Sequence, residues 1–272
     1  MSKYRFQRSW GPTPNYPLVN AYQRKNNDFV FIAGPCSVEN TKHIFDMAKI
    51  VKENGATHLR GGVFRAGTFP SNKVKFGWVD EELLLAFSEA AKTHGLKNII
   101  EVLEYSQESF ELICQYCDCF QVGARSQQNY SLLRKLGQYG KPVFLKRNPG
   151  CTLDEWMGSA EHLLTGGVKE LYLIERGSVS HENHVRWNLS VSMIAGVKSL
   201  TQIPVIVDAS HSSGRSDFVP QLTLAGIAAG ADGCLVEVHT DPDNSLSDPQ
   251  QAITPEEFFK LSDKINKLRG IL

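Results

Sequence analysis

Phe29-Val-Phe-Ile-Ala33 is a short, continuous apolar run, and the residues after it have helical spacing, with Ile44, Ala48 and Val51 on one face. The same unit recurs down the chain. Further apolar runs lie at Thr57–Leu59, Asn98–Val102, Cys119–Val122, Pro142–Leu145, Leu171–Ile174, Pro204–Val207 and Gly233–Val236. Between them come amphipathic segments such as that of Leu83, Leu84, Phe87 and Ala91, spaced as one face of an α-helix. Short apolar runs separated by helices indicate parallel strands buried on both faces. Eight such units over residues 29–272 predict an α/β chain folded as a single (β/α)8, or TIM, barrel, with an open doubly wound sheet as the alternative.

The length of 272 residues agrees with the roughly 250 of one barrel, and no linker, low-complexity tract or break in composition divides it. Apolar residues make up 42% of the chain, enough for a large core. Lys+Arg and Asp+Glu each number 29, so nothing global attracts nucleic acid or a membrane surface. A bound anion must be held by local arginines and lysines. The polar stretch Met1–Asn27, with Pro12, Pro14 and Pro17, lacks the apolar core of a signal peptide, and no run of about 18 apolar residues follows. These features predict a cytoplasmic protein whose six cysteines are free thiols. Residues 1–28 are expected as an N-terminal extension over the barrel's bottom, with no fused regulatory domain.

In such a barrel, residues just past the strands' C-terminal ends line the active-site mouth. Here they are Pro35-Cys36-Ser37, Arg60-Gly61-Gly62, Glu101 with Glu104, Gly123-Ala124-Arg125, Lys146-Arg147, Glu175-Arg176-Gly177, Asp208-Ala209-Ser210-His211 and Glu237-Val238-His239. The recurring Arg and Lys suit a small, highly anionic substrate such as a phosphorylated acid, whose oxygens match forked guanidinium donors. Among these cations stand Cys36, His211, Glu237 and Asp248. A thiolate, an imidazole and two carboxylates suit a divalent transition metal such as Mn, Fe, Co or Zn. They lie far apart in sequence, and only barrel closure would bring strand one beside strand eight. Otherwise Cys36 reads as a small buried hydrophobe and His211 as a satisfied loop histidine.

Ile32-Ala-Gly-Pro-Cys-Ser-Val-Glu39, Leu59-Arg-Gly-Gly-Val-Phe64, Val122-Gly-Ala-Arg125, Lys141-Pro-Val-Phe-Leu-Lys-Arg147, Glu175-Arg-Gly177, Val207-Asp-Ala-Ser-His211, Gly230-Ala-Asp-Gly233, Val236-Glu-Val-His239 and Leu246-Ser-Asp-Pro-Gln250 fall at these same strand ends. In these motifs the chain resembles the short, type I beta 3-deoxy-7-phosphoheptulonate (DAHP) synthases, a family related to 3-deoxy-manno-octulosonate 8-phosphate (KDO8P) synthases. The resemblance implies metal ligation by Cys36, His211, Glu237 and Asp248. It implies a phosphoenolpyruvate cradle of Arg60, Ala124, Arg125, Lys146 and Arg176, with Arg60, Arg65, Lys146 and His211 as the catalytic set. The implied reaction joins phosphoenolpyruvate to erythrose 4-phosphate, the entry step of the shikimate pathway to aromatic amino acids. Carbon 3 of the donor attacks the metal-polarised aldehyde, water adds at carbon 2, and phosphate leaves by C–O cleavage. A homo-oligomer, dimer or tetramer, is the family's default.

One loop departs from the family. Where relatives have Lys-Pro-Arg-Thr, this chain has Arg65-Ala66-Gly67-Thr68. Arg65 keeps the charge of the lysine, but Gly67 removes the arginine that grips the acceptor's phosphate. Thr68 keeps a hydroxyl, so Lys73, Lys75 or Arg147 must supply the missing cation, or the acceptor differs. Ala209 replaces a usual proline. The Ala-Asn-Arg-Ser loop of KDO8P synthases is absent, which favours DAHP synthesis over a paralogue using another aldehyde or a catalytically silent binding barrel. Cys114, Cys117 and Cys119 read as packing rather than zinc ligands, and His181 and His184 near Glu182 as a solvated loop. His239, two residues after Glu237, is expected to point inward and support the site.

Overall fold

The computed structural model describes residues 15–63, 80–102 and 106–272. Strands β1 (Val30–Gly34), β2 (His58–Arg60), β3 (Lys97–Glu101), β4 (Cys119–Val122), β5 (Val143–Lys146), β6 (Leu171–Glu175), β7 (Val205–Asp208) and β8 (Gly233–Glu237) run parallel in chain order. β1 pairs with β8 from Val30–Gly233 to Gly34–Glu237, which closes the sheet into a barrel. Helix α1 (Pro17–Ala21) precedes β1, and α2 (Thr41–Glu53), α3 (Glu81–Thr93), α4 (Gln107–Tyr116), α5 (Tyr130–Leu136), α6 (Leu153–Thr165) and α7 (Val191–Leu200) each connect successive strands. Two helices, α8 (Ala209–Ser213) and α9 (Val219–Ala228), lie between β7 and β8, and α10 (Pro255–Arg269) follows β8. This is the (β/α)8 barrel that the run pattern predicts.

Several strands end one residue beyond the apolar runs, at Gly34, Arg60, Lys146, Glu175, Asp208 and Glu237. The reason is that a strand is held by backbone pairing, which continues through a charged residue if its side chain has somewhere polar to go. Val30, Ile32, Ile99, Cys119, Phe144, Ile174, Ile206 and Leu235 form the cluster inside the barrel, with Tyr172 packed against it. The Phe144 and Tyr172 rings stack at 4.4 Å. Intervening residues such as Val205, Val207, Cys234 and Val236 belong to the second cluster, between sheet and helices. Side chains alternate along a strand. The next inward positions are therefore Gly34, Arg60, Glu101, Gln121, Lys146, Asp208 and Glu237, a polar layer on top of an apolar one.

Residues 15–28 run along the opposite ends of the strands. Glu161 of α6 accepts from the backbone N–H groups of Leu18 and Val19, and Thr201 donates to the Val19 carbonyl. The Tyr22 hydroxyl accepts from the Leu171 N–H at the start of β6, while Arg24 and Lys198 both pair with Asp232 before β8. Helices α6 and α10 each begin with a capping box, Thr152 with Glu155 and Thr254 with Glu257, which satisfies two otherwise orphaned backbone donors in each.

Barrel closure leaves no room for a side chain at the first residue of β8. A Cβ at Gly233 would sit 2.1 Å from the Val30 carbonyl oxygen and 2.7 Å from Ile206 Cδ1. Gly233→Ala is expected to destabilise the fold by about 3 kcal/mol, as overpacking against rigid backbone does. Thermal unfolding of the two proteins checks this, and an unchanged Tm would contradict the described closure.

Candidate active site

The polar layer assembles across the barrel in two buried ion pairs. Arg60 Nη1 donates to Glu237 Oε1 at 2.6 Å and to the Pro35 carbonyl at 3.0 Å. Gly34, at φ +148°, lies on the strand between them, where a Cβ would stand 2.1 Å from the Arg60 carbonyl oxygen. On the other side, Lys146 Nζ lies 3.1 Å from Asp208 Oδ2. His211 joins the pairs. Its Nδ1 is 2.9 Å from Asp208 and its Nε2 is 3.2 Å from Glu237 Oε1. Local structure sets its position, because Asp208 is also the N-cap of α8 and accepts from the His211 backbone N–H at 3.0 Å.

Glu237 and Asp208 are wholly buried, and burial alone would push both carboxyls up. Arg60 and His211 outweigh that for Glu237, as His211 and Lys146 do for Asp208, so both are held well below the usual carboxylate range. Gln251 donates to the second Glu237 oxygen at 2.7 Å.

Cys36, His211, Glu237 and Asp248 reach this mouth as two pairs, His211 with Glu237 and Cys36 with Asp248. The Cys36 thiol donates to Asp248 Oδ2 at 3.3 Å. The four donor atoms do not all lie within 4.8 Å of one another, so a shared ion would draw the pairs together. The donor chemistry fits a divalent transition ion. Burial raises the Cys36 pKa well above the ordinary thiol range, Glu237 and Asp248 raise it further, and Arg60 opposes them. A cation at the thiol would replace its proton and reverse that balance. His211 already has the arrangement such a ligand needs, one ring nitrogen on a carboxylate and the other facing the site. Asp248 stands at φ 46°, ψ 49°, the one residue other than glycine with positive φ among the described residues. Such strain persists only where the surroundings impose it. Here Ser37 and Ser247 are hydrogen-bonded at 2.7 Å, and Glu39 accepts from the Leu246 N–H at 2.8 Å.

Beside the quartet lies a concentration of positive charge. Arg176 is buried, donates to the His211 carbonyl at 3.3 Å and lies 5.7 Å from the Trp187 ring. Burial pulls its pKa down to about 10; Asp208 resists, while Arg186 and Arg125 add to the fall. Three guanidiniums near enough to repel one another make a place for a multiply charged anion. Arg125 and Ala124 share the one-turn 3-10 helix Ala124–Ser126 just past β4, which Asn148 holds by donating to the Ala124 carbonyl.

Arg147 takes another direction. It donates to Glu175 at 3.0 Å and to the Cys151 carbonyl at 2.9 Å, on the outer side of the barrel wall. Alternation explains this, since Lys146 takes the inward position. His239 leaves the strand period where Val238 bridges to Ile253, and its ring packs on His43 of α2 at 4.5 Å rather than on Glu237. Cys117 and Cys119 are buried free thiols, and His184 and Glu182 are exposed. Arg65, Thr68, Lys73, Lys75, Gly67 and Glu104 lie outside the described residues. From sequence Asp208 stands only among the strand-end residues of the mouth, and Gln251 and Arg186 have no assigned role. Asp208 carried a signal, two residues after Ile206 and three before His211, an inward strand position that is also an N-cap.

The chain matches the DAHP synthetase I family over residues 17–271. It is similar to the phospho-2-dehydro-3-deoxyheptonate aldolase of Thermotoga maritima, 38% identical over 247 residues that cover 91% of this chain and 72% of that one. A 2-dehydro-3-deoxyphosphooctonate aldolase of Nitrobacter hamburgensis is 31% identical over 248 residues, 85% of this chain and 84% of that one. Among solved structures, a truncated 3-deoxy-D-arabino-heptulosonate 7-phosphate synthase from Thermotoga maritima matches with a TM-score of 0.82 and 36% identity, covering 90% of this chain and 88% of that one. With the closed barrel and the motif residues at its mouth, these matches show that the chain belongs to the DAHP synthetase I family of enzymes.

Proposed function

We propose that this barrel condenses phosphoenolpyruvate with erythrose 4-phosphate to give 3-deoxy-D-arabino-heptulosonate 7-phosphate and phosphate, as a cytoplasmic homo-oligomer in the shikimate pathway. One observation carries the reading: a donor quartet suited to a divalent cation faces a cluster of arginines on the same mouth, Arg176 buried and Arg125 and Arg186 exposed beside it. Residues 29–272 act as the catalytic barrel, and residues 1–28 cap its lower end. No helix among the described residues is long and apolar enough to cross a membrane.

Arg125 and Arg176 hold the donor's phosphate, with Arg186 adding charge, and Arg60 and Lys146 face its carboxylate. The Ala124 backbone lines the same cradle. Cys36, His211, Glu237 and Asp248 would hold a divalent ion, which would supply Lewis-acid polarisation of the acceptor's aldehyde. Carbon 3 of phosphoenolpyruvate then forms the new C–C bond, and Lys146 Nζ gives a proton to the resulting alkoxide. Water attacks carbon 2, and its hydroxyl is retained there as the C–O bond to phosphate breaks. Arginines fixed before the reaction stabilise the departing phosphate without reorganising. The acceptor's phosphate falls to Thr68, Lys73 and Lys75. A second reading, with a different aldose phosphate, is favoured by Gly67, where the family's acceptor-gripping arginine is missing.

Chelation with EDTA is expected to stop phosphate release from phosphoenolpyruvate, and added Mn or Zn to restore it. His211→Ala should lower kcat at least about a hundredfold with the fold intact by circular dichroism. Activity that survives both would remove the metal-dependent reading. Arg125→Ala should raise the KM for phosphoenolpyruvate by roughly tenfold, the size of a lost charge-assisted contact, and leave the acceptor KM unchanged. Phosphate release across a panel of aldose phosphates separates the two acceptor readings, since the first requires erythrose 4-phosphate to give the highest kcat/KM.

A further inference from the structure

Behind the catalytic mouth, two histidines and a glutamate gather at the top of α2. Glu39, His43 and His239 place one ligand atom each within 4.8 Å of one another, and this is the one group of three or more such donors that close together among the described residues. His43 and His239 are more than nine-tenths buried. Both ring nitrogens of His43 have no hydrogen-bond partner, and Nε2 of His239 has only the Glu39 carboxylate, 3.2 Å away and outside hydrogen-bond geometry. A buried imidazole must expose one N–H and one lone pair to something, and leaving either unmet costs about 1–3 kcal/mol. Ring packing at 4.5 Å explains the contact of the two histidines but satisfies neither nitrogen of His43.

We infer that Glu39, His43 and His239 form a second divalent-metal site, taking a zinc-like ion through two imidazoles, one carboxylate and a water. This inference does not depend on the proposed reaction. Zn–N and Zn–O bonds of about 2.0–2.2 Å in a tetrahedron need donors about 3.5 Å apart. The present spacing, within 4.8 Å, is somewhat wider than that. His239 Nε2 is already 3.2 Å from Glu39 Oε1. Its Nδ1 now accepts from the Asp241 N–H at 3.0 Å, so the ring proton sits on Nε2. Ligation through Nε2 moves that proton to Nδ1 and turns the Asp241 N–H away, a motion confined to an exposed loop residue.

The site's position gives it a role. Glu39 follows Cys36 by three residues, His239 follows Glu237 by two, and the Glu39 carboxylate holds the Leu246 N–H on the loop that carries Asp248. An ion here ties together the segments that present three members of the catalytic quartet. It is a clamp on the first site rather than a second centre of chemistry.

Cobalt distinguishes the two sites, because only the Cys36 site offers a thiolate and hence a sulfur-to-cobalt charge-transfer band. The full chain, stripped with a chelator, should take up two Co(II) per chain in equilibrium dialysis at low free metal. His43→Leu should take up one and keep the thiolate band. Cys36→Ser should take up one and lose it. Glu39→Gln provides the same reading as His43→Leu if the latter does not fold. A wild-type stoichiometry of one with the thiolate band present, an empty Cys36→Ser protein, or a second ion indifferent to both His43→Leu and Glu39→Gln would overturn the site.

Discussion

The pairing of β1 with β8, in register from Val30–Gly233 to Gly34–Glu237, closes the barrel and brings the chain's first and last strands into contact. The chemistry at the mouth depends on that seam. It sets Cys36 near Glu237, though some two hundred residues separate them in sequence, and it lets Arg60 reach Glu237 past a strand end that has no side chain. Gly233 on the seam allows the two backbones to come this near, and Gly34 leaves room for the Arg60 carbonyl of the neighbouring β2. A parallel sheet that stayed open would leave the same side chains on opposite edges.

Above the apolar interior, closure creates a layer in which charges must answer one another. Arg60 with Glu237 and Lys146 with Asp208 are almost wholly out of water. Such pairs add little net stability, but removing one partner of a buried pair typically costs about 3–5 kcal/mol. The layer is therefore uniform in geometry and intolerant of piecemeal change. It also leaves an excess of guanidinium on one side, around Arg176, and a set of carboxylate, imidazole and thiol donors on the other. A chain with no net charge thus presents a strongly polarised mouth.

The eight apolar runs made the barrel legible, since parallel strands covered on both faces read as uninterrupted hydrophobic stretches. The strand ends made most of the mouth legible too. What failed was direction. Arg147 follows Lys146 in sequence, but the two occupy opposite faces of β5, and counting in twos from Phe144 separates them. His239 sits at an inward count from Glu237, yet the strand no longer pairs regularly beyond that point, and a period says nothing past the end of its ladder. Asp208 was hidden for a different reason: as an acid at a helix start it looks like an ordinary cap, and its contacts with Lys146 and His211 exist only in three dimensions. The partnership of Glu39, His43 and His239 joins a helix start to a strand exit, and no local pattern announces it.

The left-handed backbone of Asp248 has a consequence for how this sequence can drift. A glycine would occupy φ 46°, ψ 49° without the steric penalty an aspartate bears there. Replacement by glycine would thus relax the loop while deleting a carboxylate from the mouth. Selection for a hardier fold and selection for catalysis pull in opposite directions at this one position. A lineage released from the proposed reaction would be expected to lose the acid at this position early.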